Sequence, residues 1–190
     1  STIPAGWSGA TVAAFPQIGV NPAGILVACF TEAAGTSFRT MRSADGGVTW
    51  TNDQSVSVNG SIVLALNIAS LSRPTWSAVD ALWYIAANQI GTRRTQVFSS
   101  PDGITWTSAA TFLANDMALR QVVVFGSLLV GTQDDGRLFS SINKGVNWFK
   151  LGYCGIATPT VLRAGGGGWA ALGSTTVVNS SRFGLPTASV

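Results

Sequence analysis

The residues able to do chemistry in this chain are few, and their types exclude much. There is no histidine among the 190 residues. That removes Ser-His-Asp and Cys-His nucleophilic systems, His-ligated zinc and the commonest general base. Paired carboxylates remain the other common hydrolytic device. The adjacent pair is Asp134-Asp135. Neighbours on a strand point to opposite faces, and Gly136 follows, so the pair reads as a turn rather than a cation site. Asp80 and Asp116 sit in connections with no partner that sequence identifies. The tract Gly165 to Gly168 lacks the Lys and the strand–loop–helix setting of a phosphate loop and reads as a hairpin. Cys29, inside the apolar run Ile25 to Phe30, is a small buried hydrophobe by composition. Neither it nor Cys154 implies a disulfide framework. Arg73 and Trp76 combine a cation with a broad ring. They form a candidate surface for stacking on a sugar or a partner, unless their loop is tucked onto the body of the fold.

The elements that must position these residues are announced by a repeat. Ser43-Ala44-Asp45-Gly46-Gly47-Val48-Thr49-Trp50 returns one residue shorter as Ser100-Pro101-Asp102-Gly103-Ile104-Thr105-Trp106. It returns again as Ser141-Ile142-Asn143-Lys144-Gly145-Val146-Asn147-Trp148, and in worn form from Ser181 to Thr187. An Asp or Asn just past a strand accepts hydrogen bonds from N–H groups ahead of it. Glycines supply the positive φ of a tight turn, and Trp covers the turn it leaves. Ser43, Asp45, Gly47, Thr49 and Trp50, Ser100, Asp102, Gly103, Thr105 and Trp106, and Ser141, Asn143, Gly145 and Trp148 are therefore expected to staple the fold without a ligand.

These residues resemble the Asp-box, the S-x-D-x-G-x-T-W signature of sialidase-like β-propellers, where the box joins the third and fourth strands of a blade. The first copy matches at every defined position; the third has Asn143 for Asp and Asn147 for Thr. The resemblance implies an all-β propeller of four blades of four antiparallel strands, or an arc of a larger ring. Spacings of 57, 41 and 40 residues between the first serines fit blades of roughly 40–45 residues. A single domain over 1–190 is expected, with blades near 10–54, 60–110, 118–152 and 158–190. The expected first strand is Ala10 to Phe15, with a loop from Pro16 to Ala23. In the second blade the inner strand is placed at Ser61 to Ile68, and Ala69 to Asp80 is taken as the insertion that lengthens the first interval.

Composition agrees with short strands covered on both faces. Apolar residues make up 46% and charged residues 10%, with 22 glycines. The net charge of +3 rests on nine arginines and two lysines against eight acids, too few groups for a nucleic-acid footprint. No window approaches the ~20 apolar residues of a membrane-spanning helix. The uncharged first 31 residues carry Pro4, Pro16 and Pro22 and are not expected to be a targeting segment.

A retaining sialidase would need an arginine cluster, a tyrosine activated by glutamate, and an acidic aspartate. Here Glu32 is the one glutamate, the tyrosines are Tyr84 and Tyr153, and no arginine takes a defensible place in the pattern. No catalytic residue, metal or cofactor is carried over, and the chain is not expected to be an enzyme. Low charge, abundant small residues and a short, degenerate array resemble the style of phage structural proteins. The expectation is a non-enzymatic structural or receptor-binding virion component, a tail fibre or decoration protein. The alternatives are a lectin-like propeller, secreted or cytoplasmic, and a fragment of an Asp-box glycoside hydrolase. Its partners would be copies of itself or other virion proteins, with host-surface glycan as a further ligand, but neither nucleic acid nor membrane. With no latch strand left over, apolar blade faces are expected to lie bare at the seam until a partner covers them.

Overall fold

The computed structural model describes residues 17–31, 38–51, 54–56, 68–89, 95–108, 118–154, 161–165, 168–172 and 177–180. The described residues form antiparallel sheets, each a meander. The first contains β1 (Gln17–Val20), β2 (Leu26–Thr31), β3 (Phe38–Ser43) and β4 (Gln54–Val56) in that order. The second contains β5 (Ile68–Leu71), β6 (Thr75–Ser77), β7 (Leu82–Gln89), β8 (Thr95–Ser100) and β9 (Thr107–Ser108). Both β5 and β6 pair with β7. The third runs β10 (Gln121–Phe125), β11 (Leu128–Thr132), β12 (Arg137–Ser141) and β13 (Phe149–Tyr153), and the fourth β14 (Val161–Gly165), β15 (Gly168–Leu172) and β16 (Val177–Ser180). Their innermost strands come together, β1 against β6, β6 against β10 and β10 against β14.

Two expectations about the strands need correction. The segment from Pro16 to Ala23 is not a loop: β1 occupies its middle, and the strand placed at Ala10 to Phe15 lies outside the described residues. Asn21 explains the difference. Its carboxamide oxygen accepts from the Ile25 N–H at 2.9 Å, and its backbone closes the turn with Ile25 and Gly24, both at 3.0 Å. The prolines thus bracket a hairpin strand instead of breaking one. Likewise Ala69 to Asp80 is not an insertion, because β5 and β6 together form the inner edge of the second sheet. Pro74 cannot donate to the ladder, so the strand breaks there. Ser72 bridges the break: its N–H donates to the Ala86 carbonyl and its hydroxyl accepts from the Ala86 N–H, each at 2.8 Å. The Ser61–Asn67 part of the expected inner strand and the worn repeat after Ser180 lie outside the described residues.

The core lies between sheets. Strand β7 reads Leu-Trp-Tyr-Ile-Ala-Ala-Asn-Gln, and its alternate residues face opposite neighbours. Trp83, Ile85 and Ala87 pack with Val27, Cys29 and Phe38 of the first sheet. Tyr84 and Ala86 pack with Val122, Leu129 and Phe139 of the third and with Leu119 just before it. Each large side chain buried this way contributes about 1.5–3 kcal/mol. Phe38 meets Phe98 and Trp106 edge to face, with ring centroids 5.0 and 6.4 Å apart. The face of the first sheet turned away from the second is also closed: Ala28, Phe30 and Met41 are all buried. At this sheet the expected bare seam is not found.

Candidate functional site

The three turns described by the structure are built from their own side chains. In the first, the Ser43 hydroxyl donates to Asp45 Oδ1 at 2.7 Å and accepts from the Gly47 N–H at 2.8 Å. Asp45 in turn takes the Thr49 N–H at 2.9 Å and its hydroxyl at 2.5 Å. The bond from the Thr49 hydroxyl, followed by those from its N–H and from Ser43, holds the Asp45 carboxyl down at about 2. The third turn repeats this with Asn143, which accepts from Ser141 and the Asn147 N–H at 3.0 and 2.8 Å. In both, the indole N–H closes on its own turn, Trp50 to the Gly47 carbonyl at 3.1 Å and Trp148 to Gly145 at 3.0 Å.

The second turn is different because it lacks one residue. Asp102 Oδ1 accepts from the N–H groups of Ile104 and Thr105 at 2.8 and 2.7 Å. Partial burial opposes ionisation of Asp102, but these bonds and the one from Ser100 together outweigh it, and the carboxyl sits below the usual range. With the shorter loop, Trp106 reaches past its turn, and its Nε1–H donates to Thr40 Oγ1 of the first sheet at 3.0 Å. Gly103, with φ 76°, lies so close that a Cβ there would stand 2.5 Å from Val27 Cγ2. In all three turns the Ser and the Asp or Asn side chains are engaged within the turn itself.

A second constellation forms where the inner strands converge. A cavity of about 280 Å³ is lined by Gly19 and Val20 of β1, Arg73 to Trp76 at the β5–β6 break, and Gln121 to Val124 of β10. Its wall is tight on one side: a Cβ on Gly19 would lie 2.1 Å from the Pro74 carbonyl oxygen, so the two backbones meet directly. A buried relay ties the second sheet to the segment that leads into β10. Asn88 Nδ2 donates to the Leu119 carbonyl at 2.7 Å, the Thr95 hydroxyl to Asn88 Oδ1 at 2.5 Å, and the Leu119 N–H to Thr95 Oγ1 at 2.7 Å. Arg73 and Gln121 stand where β6 and β10 begin; Val20, Trp76 and Val124 lie further along their strands.

The two residues singled out for binding therefore both line this cavity, Arg73 in the β5–β6 break and Trp76 on β6. Both are half-buried, and Trp76 lies on β6 with its ring edge-to-face on Trp83, 5.3 Å between centroids. Gln121, Val20 and Val124 complete the cavity, and nothing in their types marks them; only the order of the strands does. Tyr84 is far from free. Its hydroxyl donates to Asp80 Oδ2 at 3.0 Å, and burial, then the Asp80 carboxylate, pushes its ionisation well up. Glu32 and Asp116 lie outside the described residues. Asp134 and Asp135 pair with Arg120 and with Arg137, Arg137 at 2.6 Å, on an exposed turn. Cys29 is buried, and burial raises its thiol far above the ordinary range. Among the described residues no group of three or more metal-ligating side chains converges, and no helix is long and apolar enough to cross a membrane.

No protein-family model and no curated protein sequence matches the chain. Solved structures do. YCF48 bound to D1 peptide is 16% identical with a TM-score of 0.56, over 87% of this chain and 50% of that one. The Hadza microbial sialidase Hz136 is 11% identical with a TM-score of 0.56, over 87% and 44%. The α-L-arabinanase of Penicillium chrysogenum is 14% identical with a TM-score of 0.57, over 83% and 56%. The chain thus spans about half the length of the structures it resembles. At these identities the likeness is one of fold: the chain is an all-β protein with the β-propeller fold.

Proposed function

We propose that this chain is a non-enzymatic, receptor-binding component of a phage virion, and that it takes host-surface glycan in the axial cavity. The observation that carries the reading is the cavity's lining. Arg73 offers a fork of donors to a carboxylate or sulfate, and Gln121 an amide to a hydroxyl. Val20, Trp76 and Val124 offer an apolar wall to the C–H face of a sugar ring. A space of about 280 Å³ is at the small end for ligand sites and suits roughly one saccharide unit.

Binding fits this lining better than hydrolysis. Glycoside cleavage calls for two carboxyl groups flanking the bond, and the charged group among the described lining residues is Arg73. The folds named as a sialidase and an arabinanase lend support to a carbohydrate ligand. The virion assignment draws on composition, 10% charged residues with 22 glycines, and on the short turn array.

Calorimetry against acidic and neutral saccharides selected on a glycan array tests the binding. An acidic glycan is expected to bind, and Arg73→Ala to weaken it by about tenfold or more with unchanged melting. Equal binding by that variant, or no saccharide bound at all, overturns the reading. Fluorogenic glycosides are expected to survive incubation with the chain. Turnover lost in Glu32→Gln or Tyr84→Phe restores the hydrolase. Mass spectrometry of purified particles decides the virion assignment, and a glycan binder missing from them is the lectin-like alternative.

A further inference from the structure

Charge is divided unevenly along the chain. Residues 1–135 hold six arginines and all eight acids, for a net of −2. Residues 136–190 hold Arg137, Lys144, Lys150, Arg163 and Arg182 and no acid, for a net of +5. Both lysines of the chain fall on the third turn and the strand β13 that follows it. Lys144 is already paired with Asp80, and Arg137 with Asp135. Lys150 has no carboxylate partner among the described residues.

Strand β13 ends its sheet, and among the described residues it pairs with β12 alone. The outer strands of the first and second sheets are short, three residues in β4 and two in β9. Natural sheets blunt their edges in this way, because an open edge is a row of unpaired N–H and C=O groups. β13 runs for five residues and carries exposed apolar side chains, Phe149 at 59%, Leu151 at 47% and Tyr153 at 64%. What an open edge of this kind accepts is an extended backbone.

A bulge orders the side chains along it. Phe139 lies opposite Lys150 and Leu138 opposite Gly152, so Leu151 is the extra residue. Arg137 lies opposite Tyr153, which puts Lys150 and Tyr153 on the face that Phe139 and Arg137 share. Lys150 Nζ stands 4.7 Å from the centre of the Tyr153 ring. Phe149, next to Lys150 in the strand, belongs to the opposite face. An arriving strand therefore meets a cation over a ring on one face and a phenyl group on the other.

We propose that the outer edge of β13 binds an extended, acidic segment of another protein, which adds a further strand to the third sheet. Main-chain bonds to β13 hold the segment in place. A carboxylate on one of its faces meets Lys150, and an apolar side chain on the other packs on Phe149. The lysine also selects against a second copy of this edge, because like charges on facing strands repel. The site lies on an outermost strand, apart from the glycan reading, which concerns the inner ones.

Nuclear magnetic resonance of the isotope-labelled chain tests this with synthetic heptapeptides in which valine alternates with glutamate, serine or lysine. The glutamate peptide is expected to shift the amides of Phe149 to Tyr153 and to slow their hydrogen exchange. The lysine peptide is expected to bind about tenfold more weakly, with the serine peptide between them. Lys150→Glu, at an exposed position, is expected to invert that order, and Phe149→Ser to weaken all three peptides. No shift along β13 with any peptide up to ~10 mM overturns the proposal. So does an order of affinities that Lys150→Glu leaves unchanged. Anionic phospholipid vesicles or an oligothymidylate bound at this edge more tightly than the glutamate peptide also overturn it, since the cationic third of the chain then serves a different polyanion.

Discussion

The turn at Ser100–Trp106 and the turns at Ser43–Trp50 and Ser141–Trp148 share a hydrogen-bond plan but not a purpose. The longer turns direct the indole N–H back onto their own glycine carbonyl. The shorter one directs it to Thr40, 66 residues away, and its indole is 8% exposed. Deleting one residue from the loop changed a self-contained cap into a bolt between sheets. The lesson is that a repeat conserves a local geometry, while its length decides what that geometry is used for.

The largest test of this contrast is truncation of the three tryptophans. Trp106→Ala is expected to cost about 3–5 kcal/mol, the range for a buried aromatic, in urea unfolding. Trp50→Ala and Trp148→Ala, half-buried, are expected to cost clearly less. Equal losses would erase the distinction between cap and bolt. Glycine substitutions sharpen it at the next level. Gly103→Ala combines positive φ with a Cβ 2.5 Å from Val27, and about 2 kcal/mol or more is expected. Gly46→Ala, in open space, meets only the backbone penalty of about 1 kcal/mol.

Acid separates the turns by chemistry. Asp45 and Asp102 both have folded-state values below the ordinary ~3.9. A depressed carboxyl stabilises the fold above the unfolded value and loses that contribution as pH falls through the folded one. Stability is therefore expected to drop between about pH 4 and pH 2, the lower limit set by Asp45. Asp45→Asn, which copies the third turn, should flatten part of that drop in urea midpoints measured at successive pH values. An unchanged profile would mean that Asp45 does not carry it. The smallest effect is expected at Lys144. Lys144→Gly relieves the positive φ of 59° but removes an ion pair with the largely buried Asp80, at 3.6 Å, for a net change within about 1 kcal/mol. It should turn more favourable at high salt, where the lost pair counts for less.

What the sequence made legible follows the same division between local and distant causes. The three turns were readable because each is closed by side chains within eight residues of one another, and the Ser, Asp or Asn, and Gly types needed are distinctive. The inner strands were harder. Asn21 makes β1 a hairpin strand by one side-chain bond, and the surrounding prolines suggested a loop instead. At Ser72-Arg73-Pro74, the proline forbids a ladder bond, yet the Ser72 hydroxyl repairs the break from the side. Periodicity is blind to such a repair. Arg73 and Trp76 stood out by type, but Gln121, Val20 and Val124 join them only through strand order, which no spacing in the chain records.

The bond from Trp106 to Thr40 also sets a schedule. A chain emerges from the ribosome at about 5–20 residues per second, N-terminus first. The first sheet is complete once its fourth strand is out, but Thr40 and Phe38 must wait for the second turn to arrive. Until then Val27, Cys29 and Phe38 present a bare apolar face to their surroundings, for some seconds at that pace. The growing chain is therefore most exposed to chaperones, and to its neighbours on the same messenger, in the interval that the last residue of the second turn brings to an end.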